Sequence, residues 1–314
     1  MPKPDPVPSR AARCLPRWLA ALTLAGASPA IARELPQLEI TSQDRVLVVA
    51  PHPDDETLCC AGVLQRAAAV GAEVGIVWMT AGDGARFNAL LARVTPWSTG
   101  RQMVRLGKRR LREAAAAAGV LGVPETTLWI LGYPDRGLAR LLDPASDQPF
   151  RSAYTRRADI PYVEAVSASS TITAAGLHAD LVQVIREFRP SWVIAPAVED
   201  AHPDHRATGE LVRQALATSG AKARLAGYIV HAGRQLPARR GFRPHLALEA
   251  ASAAGGNLHA LELTAEERHR KAEALRQHRS QMRRMARFLK SFVRRDELFV
   301  VDLPDAAGAA TEEG

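Results

Sequence analysis

The sequence predicts an α/β protein: one mostly parallel sheet with helices on both faces, in a single domain. Two observations carry this expectation. Short apolar runs rich in β-branched residues recur along the chain, the pattern of strands buried on both faces. Helical patterns separate them, as parallel strands require. A hydrophobic content of 47% over 314 residues supplies a core and argues against global disorder.

The first strand is Arg45-Val46-Leu47-Val48-Val49-Ala50. Pro51 to Glu56 follows, then a helical pattern through Leu58, Val63 and Leu64 to Val70, stopped by Gly71. Glu73 to Met79 is the second strand, ending at Thr80-Ala81-Gly82-Asp83-Gly84. A helix over Arg105–Gly119 leads to a third strand, Thr127–Leu131, and a helix over Ala179–Phe188 leads through Pro190 to a fourth, Trp192–Ala195. Ala226–His231 is the fifth. Residues 143–170 break the alternation with Pro, Ser and Arg; a stretch of that length without periodicity predicts a functional loop or lid. Thr264–Arg295 reads as one long Arg-rich helix whose apolar stripe runs through Leu275, Met282 and Leu289, a solvated face rather than a nucleic-acid surface. Pro304–Gly314 predicts a frayed tail.

The domain is expected over residues 33–303. Residues 1–17 carry Lys3, Arg10, Arg13 and Arg17 against Asp5, a surplus of three positive charges. Trp18 to Ala27 is a short apolar run, and Ala30-Ile31-Ala32 is a small-residue cleavage signal. That order predicts a secretory signal peptide cut after Ala32, and hence a secreted or periplasmic protein; the run is too short to span a bilayer. Its removal lowers the formal charge of +8 to +5, an ordinary surface balance. No later stretch is apolar enough for a transmembrane segment. Of three cysteines, Cys59 and Cys60 are adjacent and Cys14 lies in the leader, which excludes a disulfide framework and a thiolate zinc site. Aromatics at 5% are too few for a single-stranded nucleic-acid platform.

Chemistry concentrates in two places. His52-Pro53-Asp54-Asp55-Glu56 follows the first strand, and Asp200-Ala201-His202-Pro203-Asp204-His205 follows the fourth. In an open α/β sheet both clusters reach the carboxyl edge, where ligands bind. Pro and carboxylates also suit a first helical turn, but that does not account for the histidines. Imidazoles with a carboxylate are a protein ligand set for catalytic Zn²⁺, which acidifies water and polarises carbonyl oxygens. A further carboxylate, not a ligand, must take the water proton. The two clusters supply both.

Ala50-Pro51-His52-Pro53-Asp54-Asp55-Glu56-Thr57-Leu58, with His202-Pro203-Asp204-His205-Arg206-Ala207 downstream, resembles the PIG-L/LmbE-like family of zinc-dependent N-acetylglucosamine deacetylases. The likeness extends over most of residues 43–300. Thr80–Asp83, Arg110-x-x-Glu113, Leu131–Asp135 and the stretch from Lys271 through His278 to Gln281 look like further family segments in the right order. The resemblance implies a Rossmann-like fold, with His52, Asp55 and His205 as metal ligands and Asp54 as general base. It makes His202 the group that stabilises the oxyanion and helps protonate the leaving amine, with Asp204 orienting or charging the His202 imidazole. Arg110 and Asp135 match positions that hold sugar hydroxyls. Cys59-Cys60-Ala61-Gly62 departs from the family's Gly-Cys-Gly-Gly-like run, and both cysteines read as small core residues. Glu56 reads as a helix-start or supporting residue, and His231, at the end of the fifth strand, as a residue that approaches the pocket.

The resulting expectation is a hydrolase that removes acetyl from an N-acetylated amino sugar or glycoconjugate. Imidazole and carboxylate suit Fe²⁺ as well as Zn²⁺. Deacylation of a non-sugar amide, or glycan binding without catalysis, stay open at this point, while nucleic acid is not an expected partner. The sequence leaves the oligomeric state open.

Overall fold

A computed structural model describes residues 35–84, 99–232, 241–248 and 257–302. The expected leader and the C-terminal tail lie outside the described residues.

Seven strands form one sheet: β1 (Arg45–Ala50), β2 (Glu73–Thr80), β3 (Leu128–Tyr133), β4 (Trp192–Pro196), β5 (Arg224–Tyr228), β6 (Leu258–Glu262) and β7 (Asp296–Asp302). Their order is β3-β2-β1-β4-β5-β7-β6. The first five in that order run parallel. β7 pairs antiparallel with both β5 and β6. Helices α1 (Asp55–Val70), α2 (Gly100–Val120), α3 (Ala174–Phe188), α4 (Pro203–Ser219), α5 (Ala265–Gln277) and α6 (Arg279–Leu289) accompany the strands. The expected α/β class, mostly parallel, is what the chain forms. Val46 to Ala50 of the central β1 are wholly buried, as a continuous apolar run predicts. Gly71, at φ 82°, ends α1 in the left-handed conformation that glycine adopts without strain. Among the described residues, no helix is long and apolar enough to cross a membrane.

Four elements differ from the expectation. Helix α3 starts at Ala174, five residues before the expected Ala179, where the Thr173 side chain caps it. Helix α2 starts at Gly100, five residues before the expected start, because Thr99 and Gln102 form a capping box. The pair β6–β7 was not expected. The long C-terminal helix is two helices broken at His278. Its imidazole is fully buried with Nε2 3.0 Å from Thr57 Oγ1, so the chain bends to draw the ring inward. The Glu113 carboxylate then accepts the Ser280 N–H at 3.1 Å, satisfying an amide of the restarting helix.

Residues 143–172 form an ordered strap along the outer edge of β3. The Val166 N–H bonds the Ile130 carbonyl, and within the strap Phe150 bonds Ile172 and Ile160 bonds Ser170. Ile160, Tyr162 and Ile172 are buried, and Asp180 of α3 accepts from both Ser167 and Tyr133. The strap shields a sheet edge that would otherwise be open to pairing.

Candidate active site

Strand order reverses about β1: β2 and β3 lie on one side, β4 and β5 on the other. The crevice between the carboxyl ends of β1 and β4 is therefore the topological switch point, where α/β sheets bind ligands. His52 follows β1, with Asp54 and Asp55 at the start of α1; His202 caps α4, and Pro203, Asp204 and His205 form its first turn. The two sequence clusters thus meet across one rim.

Asp55 Oδ2 lies 3.2 Å from His52 Nδ1 and 3.2 Å from His205 Nε2. It also accepts the His52 backbone N–H at 3.0 Å. The ligand-competent atoms of His52, Asp55 and His205 all fall within 4.8 Å of one another, and the two rings are 5.3 Å apart. His205 is fully buried, yet neither ring nitrogen makes a hydrogen bond. Its Nδ1 instead faces Asp200 Oδ2 at 3.2 Å. An imidazole sealed from water between two carboxylates, with neither nitrogen in a hydrogen bond, fits the role of a metal ligand. The donor set of two imidazoles and a carboxylate suits Zn²⁺ and Fe²⁺ alike.

Electrostatics fit the same picture. Burial works against a charged His52, but the carboxylates of Asp135, Asp204 and Asp55 raise its pKa well above the usual value. His205 behaves likewise: burial opposes its charge, while Asp55 and Asp200 lift it to about 9. Burial also opposes ionisation of Asp55, yet His205 and His52 hold it well below the carboxylate range. This concentration of negative charge around neutralisable imidazoles is what a divalent cation would compensate.

Asp54 stands beside these groups and outside both candidate ligand sets. Its Oδ2 accepts from the Gln281 side-chain amide, and its Oδ1 is 3.6 Å from Arg110. Burial and the charge of Asp55 push it up to about 6, against the pull of Arg110 and His278. A carboxylate tuned there suits a general base. Glu56 supports it from behind, accepting the Asp54 N–H and the Trp78 indole N–H, each at 3.0 Å.

His202 Nδ1 accepts the Asp204 backbone N–H at 3.2 Å, which leaves the ring proton on Nε2. Burial, then the neighbouring His52, His205 and His231, lower its pKa to about 4. It is therefore a neutral donor. The expected contact between the Asp204 carboxylate and this imidazole is not made. That carboxylate accepts from the backbone N–H groups of Arg136 (2.5 Å) and Leu138 (3.3 Å) and faces His52 Nε2 at 3.3 Å. Position N2 of a helix aims its side chain back at the preceding loops, so only the Asp204 backbone reaches the cap residue. A second metal-competent group nonetheless exists in His52, His202 and Asp204.

Arg110 and Asp135 both line the cavity, which has a volume of about 240 Å³. Arg110 donates to the carbonyls of Gly82 (2.7 Å) and Pro53 (3.2 Å), and its Nε has no partner. Asp135 accepts the Gly84 N–H at 2.8 Å and lies 3.4 Å from His52. Opposition from burial is outweighed by His52 and Arg110, which hold it at about 2. Both side chains thus tie strand-end loops together at the pocket wall. His231 does approach the pocket, 5.2 Å from the His202 ring and 4.8 Å from that of His205, against Phe288. Gln281 was assigned no role from the sequence. Its only sequence signal was membership of the C-terminal motif, because contact with Asp54 depends on how α6 folds back.

Residues 47–216 match the PIG-L family, described as GlcNAc-PI de-N-acetylase. A 1D-myo-inositol 2-acetamido-2-deoxy-alpha-D-glucopyranoside deacetylase of Nakamurella multipartita is 32% identical over 182 residues, 55% of this chain and 54% of that protein. The chain spans about half the length of the curated relatives it matches. The solved structure of an A40926 pseudoaglycone deacetylase is similar in fold (TM-score 0.55, 18% identity, 83% of this chain and 98% of that one). So is a 4-carboxy-2-hydroxymuconate hydratase of Pseudomonas putida KT2440 (TM-score 0.52, 16% identity, 86% and 98%). One fold thus hosts two chemistries, and the site must decide between them. With the His52–Asp55 and His202–His205 motifs inside the matched span and converging at the switch point, the chain belongs to the PIG-L family.

Proposed function

We propose that this protein is a metal-dependent deacetylase that hydrolyses the acetamide of an N-acetylated amino sugar or glycoconjugate. One observation carries the reading: His52, Asp55 and His205 bring ligand-competent atoms within 4.8 Å of one another, while Asp54, outside that set, is held beside them by Gln281 and Arg110. A divalent cation held by that set would supply Lewis-acid polarisation of the carbonyl and of a water molecule.

The chain's own groups do the rest. Asp54 takes a proton from the attacking water, oriented by Gln281 and Arg110. The water oxygen bonds to the carbonyl carbon, and the carbonyl oxygen gains negative charge. The Nε2–H of His202, fixed as a donor by the Asp204 backbone, points at that charge, where preorganised donors act most strongly. The C–N bond then breaks, and the proton held by Asp54 passes to the departing amine, leaving acetate and a free amino sugar. Arg110 and Asp135 are placed to bind sugar hydroxyls at the wall. The leader read from residues 1–32 would send this activity out of the cytoplasm.

The test is acetate release by the Zn²⁺- or Fe²⁺-loaded protein from a panel of N-acetylglucosamine glycosides and simple amides. Release from the glycosides alone is expected. Cleavage confined to non-sugar amides would replace the substrate class, and metal binding without any cleavage would make the protein a binder.

A further inference from the structure

Asp55 Oδ2 lies against one nitrogen of each candidate ligand imidazole, Nδ1 of His52 and Nε2 of His205. Each ring therefore turns its other nitrogen away from Asp55, and each of those nitrogens meets a further buried carboxylate. His205 Nδ1 faces Asp200 Oδ2 at 3.2 Å. His52 Nε2 faces Asp204 Oδ2 at 3.3 Å, with Asp135 Oδ1 at 3.4 Å. Asp200 and Asp204 are both sealed from solvent.

Neither acid is free to turn. Asp200 Oδ1 accepts the His202 N–H at 2.8 Å. Its Oδ2 accepts the N–H groups of Val230 at 2.8 Å and His231 at 3.0 Å, from the chain after β5. Asp204 Oδ2 and Oδ1 accept the N–H groups of Arg136 and Leu138, from the loop after β3. Backbone amides thus fix both carboxylates independently of the rings they face. Stapling the loops together accounts for those amide contacts. It does not account for each acid ending on the ring nitrogen opposite Asp55.

A fixed acceptor selects the tautomer of an imidazole. The ring proton goes to the nitrogen that faces the acid, and the lone pair is left on the other for a metal. Here that other nitrogen is in both rings the one beside Asp55.

We infer that Asp200 and Asp204 are positioning residues for the metal ligands. Asp200 sets His205 to bind through Nε2, and Asp204 sets His52 to bind through Nδ1. The carboxylate of Asp204 therefore serves His52, and its backbone N–H alone serves His202. The inference rests on the metal-dependent reading of the site and is independent of the substrate.

The experiment uses the ¹⁵N-labelled, Zn²⁺-loaded full chain. Long-range ¹H–¹⁵N spectra report whether each imidazole nitrogen is protonated, bare or metal-bound. The expected pattern is His52 bound through Nδ1 with a proton on Nε2, and His205 bound through Nε2 with a proton on Nδ1. Zn²⁺ affinity is then measured for the wild type, Asp200→Asn and Asp204→Asn by competition with a chelator. Each variant is expected to bind Zn²⁺ about 10- to 100-fold more weakly. Thermal unfolding of the metal-free proteins shows what each acid contributes as a loop staple, a role that leaves ring tautomers and affinity unchanged. Binding of His52 through Nε2 or of His205 through Nδ1 overturns the proposal, and this result needs no variant to fold. So does an affinity within about threefold of the wild type in both folded variants. If Asp204→Asn keeps its affinity and loses turnover alone, Asp204 acts through His202 and its assignment here fails. If the ring pattern and the affinities are as expected and no acetamide is cleaved, the deacetylase reading fails and the positioning roles stand.

Discussion

The side-chain amide of Gln281, on α6, donates to Oδ2 of Asp54 at the start of α1, joining residues 227 positions apart. The amide fixes which carboxylate oxygen is left to accept a proton. Replacing Gln281 by Ala should lower kcat about 10- to 100-fold, the worth of a hydrogen bond to a charged group, with metal content unchanged. Gln281→Glu should be worse, because it sets a second carboxylate against the first. Steady-state kinetics with metal analysis checks this; a change in KM alone would make Gln281 a substrate contact instead.

Asp54 and His52 are neighbours with separable roles. Asp54→Ala is expected to reduce turnover by about 10²- to 10⁴-fold, the usual worth of a general base, and to retain metal. His52→Ala should lose metal, since it removes one of the three proposed ligands. Elemental analysis beside acetate release separates the two; near-normal turnover by Asp54→Ala would remove Asp54 from the base role.

Much of this was legible in the sequence because it is local. A strand buried on both faces is a run such as Val46–Ala50, and a ligand cluster at a strand end lies within six residues, as Asp200–His205 does. The His52–His205 meeting was legible only through the rule that parallel strands point their carboxyl ends the same way. What was not legible depends on distant partners. The break at His278 follows from the buried contact of its imidazole with Thr57, and β6–β7 form because β5 offers an edge. The Asp204 carboxylate turns to the 136–138 backbone, which no spacing within its own motif reveals.

Asp83 gives a pH prediction. Burial, then the charge of Asp135, raises it to about 7, against the Tyr162 hydroxyl, backbone near Asp135 and Arg110. In the unfolded chain its value is near 3.8. Between those values the unfolded chain releases the proton and the folded chain keeps it, so the contribution of Asp83 to stability is greatest below about pH 4 and is lost as pH rises through 7. Asp83→Asn never ionises and can still accept from Tyr162. It should be the more stable protein at pH 8 by about 4 kcal/mol, with the gap closing toward pH 4. Urea unfolding across that range tests the sign; a gap that widens in acid would refute it.

Lys271 and Glu297 form an ion pair at 2.7 Å with both side chains buried. Glu297 also accepts the Gly62 N–H at 3.0 Å, and a Cβ at Gly62 would collide with Leu263. The pair therefore joins α5 and β7 to the Cys59–Gly62 stretch of α1. Lys271→Met keeps the aliphatic stem but strands a buried carboxylate, and should cost about 3–5 kcal/mol. Adding Glu297→Gln removes that charge while leaving an acceptor for Gly62, so the double variant should recover most of the loss. Urea unfolding at neutral pH decides it: if the double variant is no more stable than Lys271→Met, the cost lies in lost packing around the lysine stem and not in the unpaired charge.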